Sequence, residues 1–367
     1  MKQVPGYTLV RTEDCPEQHG TLTVLTHDVS GATILLVENE DNNKAFGIGF
    51  GTFPSDDTGV FHILEHSVLA GSEKYPVTSP FLQLLKSSMA SFLNAMTFPD
   101  KTVYPFATPN ETDFKNLMDV YLNAVFCPLA MVDRAVFEQE GWHRDADGTV
   151  SGVVYNEMQG ALATPDAQLQ NALERAMFPD TAYGVESGGD PKVIPSLSYE
   201  EFLDFHRKYY HPSNSYIYLY GNMDMKEKLD WLDREYLSKF DAIEVDSRIQ
   251  LQKPFGETKD VTLSYPILEH EEEADNTYLS YNMVAGTTLD VKLNVAFSVL
   301  EYALLDAPGA PVKQALLDAQ IGKDVEGSYE DGILQPYFQI VAKNANASDK
   351  ERFLNVIHDT LLSLIHI

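Results

Sequence analysis

The decamer Val60-Phe61-His62-Ile63-Leu64-Glu65-His66-Ser67-Val68-Leu69 sets two histidines and a glutamate inside a run whose apolar residues recur at i, i+3 and i+4, the period of a helix. Histidines four apart project from one helix face, their Cβ atoms roughly 6 Å apart. Imidazole nitrogens bind zinc at about 2.0–2.1 Å, and a catalytic zinc takes three protein ligands and keeps one position open for water. Glu65 would lie near such an ion but point elsewhere, so it suits proton transfer with a water whose pKa the metal lowers. Phe61, Ile63, Leu64, Val68 and Leu69 make the segment too apolar all round for a plain surface helix, so its polar groups need partners.

A third ligand must come from another element, because no third histidine follows closely. Glu138, Glu140 and Glu157 are the candidates. Glu157 falls on a helix expected near Val153–Ala163, whose apolar neighbours would hold it inward. Glu140, in Glu138-Gln139-Glu140-Gly141-Trp142-His143, reads better as a carboxylate that orients a ligand histidine. His143, His206 and His211 read as structural or capping residues, Gly188-Gly189 reads as a turn, and no Ser-His-Asp or Cys-His arrangement stands out.

Around the motif, Thr21–Thr26, Ala32–Glu38 and Lys44–Gly49 read as strands of an antiparallel meander, and Thr102–Ala107 as another strand. Helices are expected over Val60–Ala70, Pro80–Ala90, Thr112–Phe126, Val132–Glu140, Ala167–Met177 and Ser198–Tyr209, the last opened by a capping box at Ser198 and Glu201. Strand Ser215–Tyr220 and helix Met225–Phe240 close a first domain, residues 1–240. Residues 241–260 are polar and aperiodic and suit a linker. Beyond them, Thr277–Val284 reads as a strand and Val291–Leu305 as a helix of a second domain, 261–367. Phe61–Leu69 aligns with Phe297–Leu305, which has Ser298 and Tyr302 in place of the histidines. The architecture is therefore α+β, two related domains of antiparallel-rich sheet packed against helices, with the metal motif in the first only.

The 367 residues allow about two domains. With 26 basic against 55 acidic residues the formal charge is -29, a field that repels phosphate backbones and anionic headgroups, so neither nucleic acid nor membrane is an expected partner. The charge serves solubility, or an acidic cavity that favours basic peptides. Cys15 and Cys127 alone give no disulfide framework, and Met1–Gly20 lacks the apolar core of a secretory signal, so a cytoplasmic location is expected.

Five blocks carry a wider likeness: His62–Pro76, Ser91–Pro105, Gln139–His143, Val153–Gly160 and Tyr209–Asn214. Together, in this order, they resemble the pitrilysin/insulinase (M16) zinc metallopeptidases, the inverzincins, and in particular their presequence-protease branch. The resemblance implies a pitrilysin/LuxS-like metallohydrolase fold, one Zn2+ held by His62, His66 and Glu157, and Glu65 as general base. It further implies an exposed edge strand, Ser91–Met96, that pairs with an extended peptide, with Asn94 and Ala95 beside the scissile bond and Leu69 and Met96 lining an apolar pocket. The expected activity is endoproteolysis of short unstructured, presequence-like peptides. A non-catalytic peptide-binding or structural module of the same fold is the alternative, and a small-molecule zinc hydrolase a third. Family members have four such domains in two halves, so the chain is expected to be an N-terminal portion. Its second domain breaks off at Leu361–Ile367 inside a helical pattern, Ser363–Ile367 need not be native, and the missing C-terminal half would be its partner.

Overall fold

A computed structural model describes residues 4–365. Residues 1–3, at the head of the stretch read for a leader, and His366 and Ile367, at the end of Ser363–Ile367, lie outside the described residues. The chain forms two compact units, 1–163 with 185–249, and 164–184 with 250–367.

The first unit is built on eight strands: β1 (Tyr7–Cys15), β2 (Gly20–His27), β3 (Thr33–Glu38), β4 (Lys44–Gly51), β5 (Phe92–Leu93), β6 (Met96–Thr97), β7 (Lys101–Thr108) and, beyond a small hairpin of β8 (His143–Arg144) and β9 (Val150–Ser151), β10 (Ser215–Gly221). They order as β1-β2-β3-β10-β4-β7-β5, with β6 also on β7. The expected meander is corrected at one place: β10 lies between β3 and β4, parallel to β3 and antiparallel to β4. Ile217 and Leu219 of β10 are fully buried, as are Ile34, Leu36, Phe46 and Ile48 beside them. A strand carrying apolar residues of that kind is a central one, and chain order does not reveal which pair it separates.

Helices α1 (Val60–Leu69), α2 (Pro80–Ser87), α3 (Glu111–Phe126), α4 (Arg134–Glu140), α5 (Val153–Ala161), α7 (Tyr199–Tyr209) and α8 (Met225–Glu235) complete this unit. Asn110, Asp133, Ser198 and Asp224 cap α3, α4, α7 and α8 by accepting from backbone N–H groups; the Ser198–Glu201 capping box is present. One core joins the sheet to α1, α3 and α7 through residues such as Ile48, Leu64, Tyr121 and Phe202.

The second unit has its own core and a three-stranded sheet, β11 (Thr277–Val284), β13 (Tyr337–Ala345) and β12 (Asp324–Glu330) in that order, all antiparallel. With it go α9 (Val291–Glu301), α10 (Pro311–Asp318) and α11 (Lys350–Ile365). Helix α6 (Pro165–Met177), which the sequence reading kept in the first domain, belongs to this unit. Asp166 pairs with Lys343 at 2.6 Å, and Glu174 accepts from the Tyr337 hydroxyl at 3.0 Å, contacts that residue periodicity does not announce. The repeat maps onto equivalent elements, since α1 follows β4 and α9 follows β11. Whereas α1 is buried on nearly every side, α9 has no buried residue and continues into a π-helical turn, Tyr302–Asp306. No helix among the described residues is long and apolar enough to cross a membrane.

His206 on α7 is 5% exposed and donates Nε2–H to the Val125 carbonyl at 2.9 Å. Burial, the largest cause, together with the Arg207 charge lowers its pKa to about 4. An unfolded histidine binds its proton near pH 6.5, so this residue's contribution is complete above that pH and is lost as pH falls towards 4, by roughly 3 kcal/mol. Both tryptophans, Trp142 and Trp231, lie in the first unit. Urea unfolding followed by their fluorescence should show the wild type weakening more between pH 6.5 and 4 than H206Q, which keeps a donor and does not titrate. Parallel pH profiles would contradict this assignment.

Candidate metal centre

Helix α1 presents His62, Glu65 and His66 from a body that is apolar but for Ser67 and buried from Val60 to Val68 apart from His66. The two imidazole rings have centroids 5.0 Å apart at 79°, as the i, i+4 spacing requires. Helix α5 supplies the third group. Glu157 Oε1 lies 3.8 Å from His62 Nε2, and Glu157 Oε2 3.7 Å from His66 Nε2. The three ligand atoms are all within 4.8 Å of one another. An ion about 2.0–2.1 Å from each of three tetrahedral ligands holds those atoms about 3.4 Å apart, so this triangle accommodates zinc after small side-chain movements. The donor set, two imidazoles and a carboxylate, is also one that zinc takes. Glu157 is not held inward as expected: its side chain is 52% exposed, and Val154 and Met158 are the residues that anchor α5 in the core.

Close backbone approach brings the glutamates to α1. A Cβ on Gly141, at the end of α4, would come within 2.9 Å of Ile63 Cγ2, and one on Gly152, before α5, within 2.2 Å of the Gly141 carbonyl oxygen. Glu140, 8% exposed, places Oε2 3.6 Å from His66 Nδ1. Burial of His66 opposes its charged form, but Glu140 and the charges of Glu65 and Glu157 outweigh that and raise its pKa. Glu138 stays on the surface of α4, paired with Arg134 at 2.8 Å.

Glu65 is outside the ligand triangle. Its Oε2 accepts from the Thr97 hydroxyl at 2.8 Å, a partner that the sequence reading missed because thirty-two residues separate the two. Behind it the Tyr104 and Tyr210 hydroxyls, both fully buried, meet at 2.8 Å. Burial raises both their pKa values, and the Glu65 charge adds to this.

Thr97 belongs to the outer edge of the sheet. The expected strand Ser91–Met96 is two short pieces, β5 and β6, both paired on one side with β7. Between them Asn94 donates its N–H to Pro105 at 3.1 Å, and its side-chain oxygen takes the Ala95 N–H at 3.0 Å. Leu69 and Ala95 are half-buried against the core, and Met96 is half-buried on β6.

His143 and His211 bond locally. His143 Nδ1 meets the Glu138 carbonyl, and His211 Nδ1 the Ser213 hydroxyl. A Ser-His-Asp relay that the sequence hid does exist: His27 Nδ1 is 2.8 Å from Ser30 Oγ, and Nε2 is 2.9 Å from Asp233 Oδ1. Ser30 and His27 are completely buried, so no substrate reaches the hydroxyl, and the relay pins the end of β2 to α8.

Two family models match the chain in tandem, "Insulinase (Peptidase family M16)" over residues 47–186 and "Peptidase M16 inactive domain" over 196–366. The chain belongs to peptidase family M16. It is 46% identical over 365 residues to Protein HypA of Clostridium perfringens, covering 98% of this chain and 38% of that one. It is 41% identical over 368 residues to presequence protease 1, chloroplastic/mitochondrial, of Arabidopsis thaliana, covering 98% and 34%. The chain thus spans little more than a third of these relatives' length. The fold matches crystalline pitrilysin with a TM-score of 0.65 at 15% identity, over 98% of this chain and 38% of that one.

Dialysis against zinc followed by metal analysis is expected to find about one zinc per wild-type chain, little in H62A or H66A, and an unchanged amount in E138Q. Stoichiometric zinc in H62A would remove His62 from the ligand set.

Proposed function

We propose that this chain carries the catalytic half-site of a zinc endopeptidase that cleaves extended, unstructured peptides of presequence type. The observation that carries the reading is the convergence of His62, His66 and Glu157 beside Glu65, which is itself tied to the sheet edge through Thr97. Zinc bound there would polarise a carbonyl oxygen and lower the pKa of water. Glu65 takes a proton from the attacking water as the oxygen–carbon bond forms. It returns that proton to the amide nitrogen as the carbon–nitrogen bond breaks. Thr97 occupies Oε2 of Glu65, so Oε1 is the oxygen left to do this. Glu140 steadies His66 from the far side of its ring.

Substrate would add as a further strand on the open side of β5 and β6, through main-chain hydrogen bonds that carry no sequence code. Asn94 and Ala95 would flank the scissile bond, and Leu69 and Met96 would receive an apolar side chain. The relatives are roughly two and a half to three times as long as this chain, which supports a second polypeptide portion as the partner that closes over the peptide. The second unit, with Ser298 and Tyr302 at the repeat positions, serves in support.

A mixed unstructured peptide incubated with the chain, alone and with a separate polypeptide matching the remainder of HypA, tests this. Cleavage should be weak alone, strong with the second part, and abolished by a chelator. In that assembled form E65Q should lose at least about 100-fold in rate and keep its zinc. Undiminished turnover by E65Q would overturn the assigned base.

A further inference from the structure

The loop that begins where the chain re-enters the first unit at Val185 crosses the start of α1. Three observations hold it there. Gly59, the residue before α1, has φ +66°, and a Cβ on it would come within 2.6 Å of the Gly188 carbonyl oxygen and 2.8 Å of Gly189 Cα, so only glycine permits the crossing. Asp57 receives the Glu186 N–H on its carboxylate at 2.8 Å and the Asp190 N–H on its carbonyl at 2.9 Å. Glu186 in turn accepts the Gly188 N–H at 3.1 Å. The Gly188 carbonyl oxygen is left 3.0 Å from His62 Nδ1. On its other side, Gly188 abuts Met158, the neighbour of Glu157, at a spacing that a Cβ would close to 2.7 Å.

We propose that this bracket is the positioning element of the metal centre, with the Gly188 carbonyl acting through His62. A carbonyl only accepts, so the neutral ring must carry its proton on Nδ1 and offer the Nε2 lone pair. Nε2 is the nitrogen that faces Glu157. The same loop, touching Met158, sets how closely α5 approaches α1. His66 has a carboxylate, Glu140, at its Nδ1, and His62 has this backbone carbonyl. Groups in that position orient ligand imidazoles, and losing them typically costs 10–100-fold in metal affinity. The inference rests on the zinc reading above.

Two measurements test it without any assay of peptidase activity. In the metal-free chain, long-range 1H–15N correlation of the neutral His62 ring should report the Nδ1–H tautomer; an Nε2–H tautomer would overturn the proposal. In chelator competition for zinc, G59A and D57A should bind about 10- to 100-fold more weakly than wild type. G31A, which has the same left-handed strain at φ +73° but where a Cβ would meet its neighbours only at ordinary contact distance, 3.7 Å or more, should bind as wild type does. Should G59A fail to fold, D57A and the tautomer decide. Wild-type affinity in D57A and G59A would overturn the bracket, whereas absence of zinc binding by the wild type would overturn the zinc reading beneath it.

Discussion

An imidazole and a carboxylate, His62 and Glu65, ride on α1 into a buried region, with His66 at its partly exposed margin, and a buried polar group is costly there unless it is met. His62 and Glu65 are each 9% exposed. The rest of the first unit supplies what they need: α5 brings Glu157, α4 brings Glu140, β6 brings Thr97, and the loop at Gly188 brings a carbonyl. Four elements far apart in sequence are thereby fixed against one helix. The glycines at 59, 141 and 152 are what allow backbones to come that close.

The centre and the sheet edge form one device through the short link from Thr97 to Glu65. Thr97 pairs with Thr102 of β7 in the ladder while its hydroxyl holds the carboxylate. The sheet edge and the Glu65 carboxylate are thus connected by a single residue, with little freedom to drift apart.

The motif on α1 was legible because helical period and ligand chemistry coincide in ten residues. Glu157 was legible as a candidate but for the wrong reason: Val154 and Met158 seat α5, and the carboxylate itself stands half in solvent. The crossing of Gly188 over Gly59 was not legible, since two glycines in a row signal a turn and say nothing of what the turn touches. The insertion of β10 between β3 and β4, and the pairing of α6 with β13, were hidden for the same reason, being long-range pairings that local pattern does not encode. The repeat at Phe297–Leu305 falls on the end of α9 and the π-helical turn after it, but in α9 the all-round apolar pattern that accompanies burial in α1 goes with exposure of Val295, Val299 and Leu300.

The central claim is that His62, His66 and Glu157 form a single ligand set. X-ray absorption spectroscopy of the zinc-loaded chain tests it directly. The account predicts a first shell of nitrogen and oxygen at about 2.0–2.1 Å with the outer-shell scattering of two imidazoles, falling to one imidazole in H66A at any zinc it retains. A shell containing sulfur, or one whose imidazole count is unchanged in H66A, would contradict it.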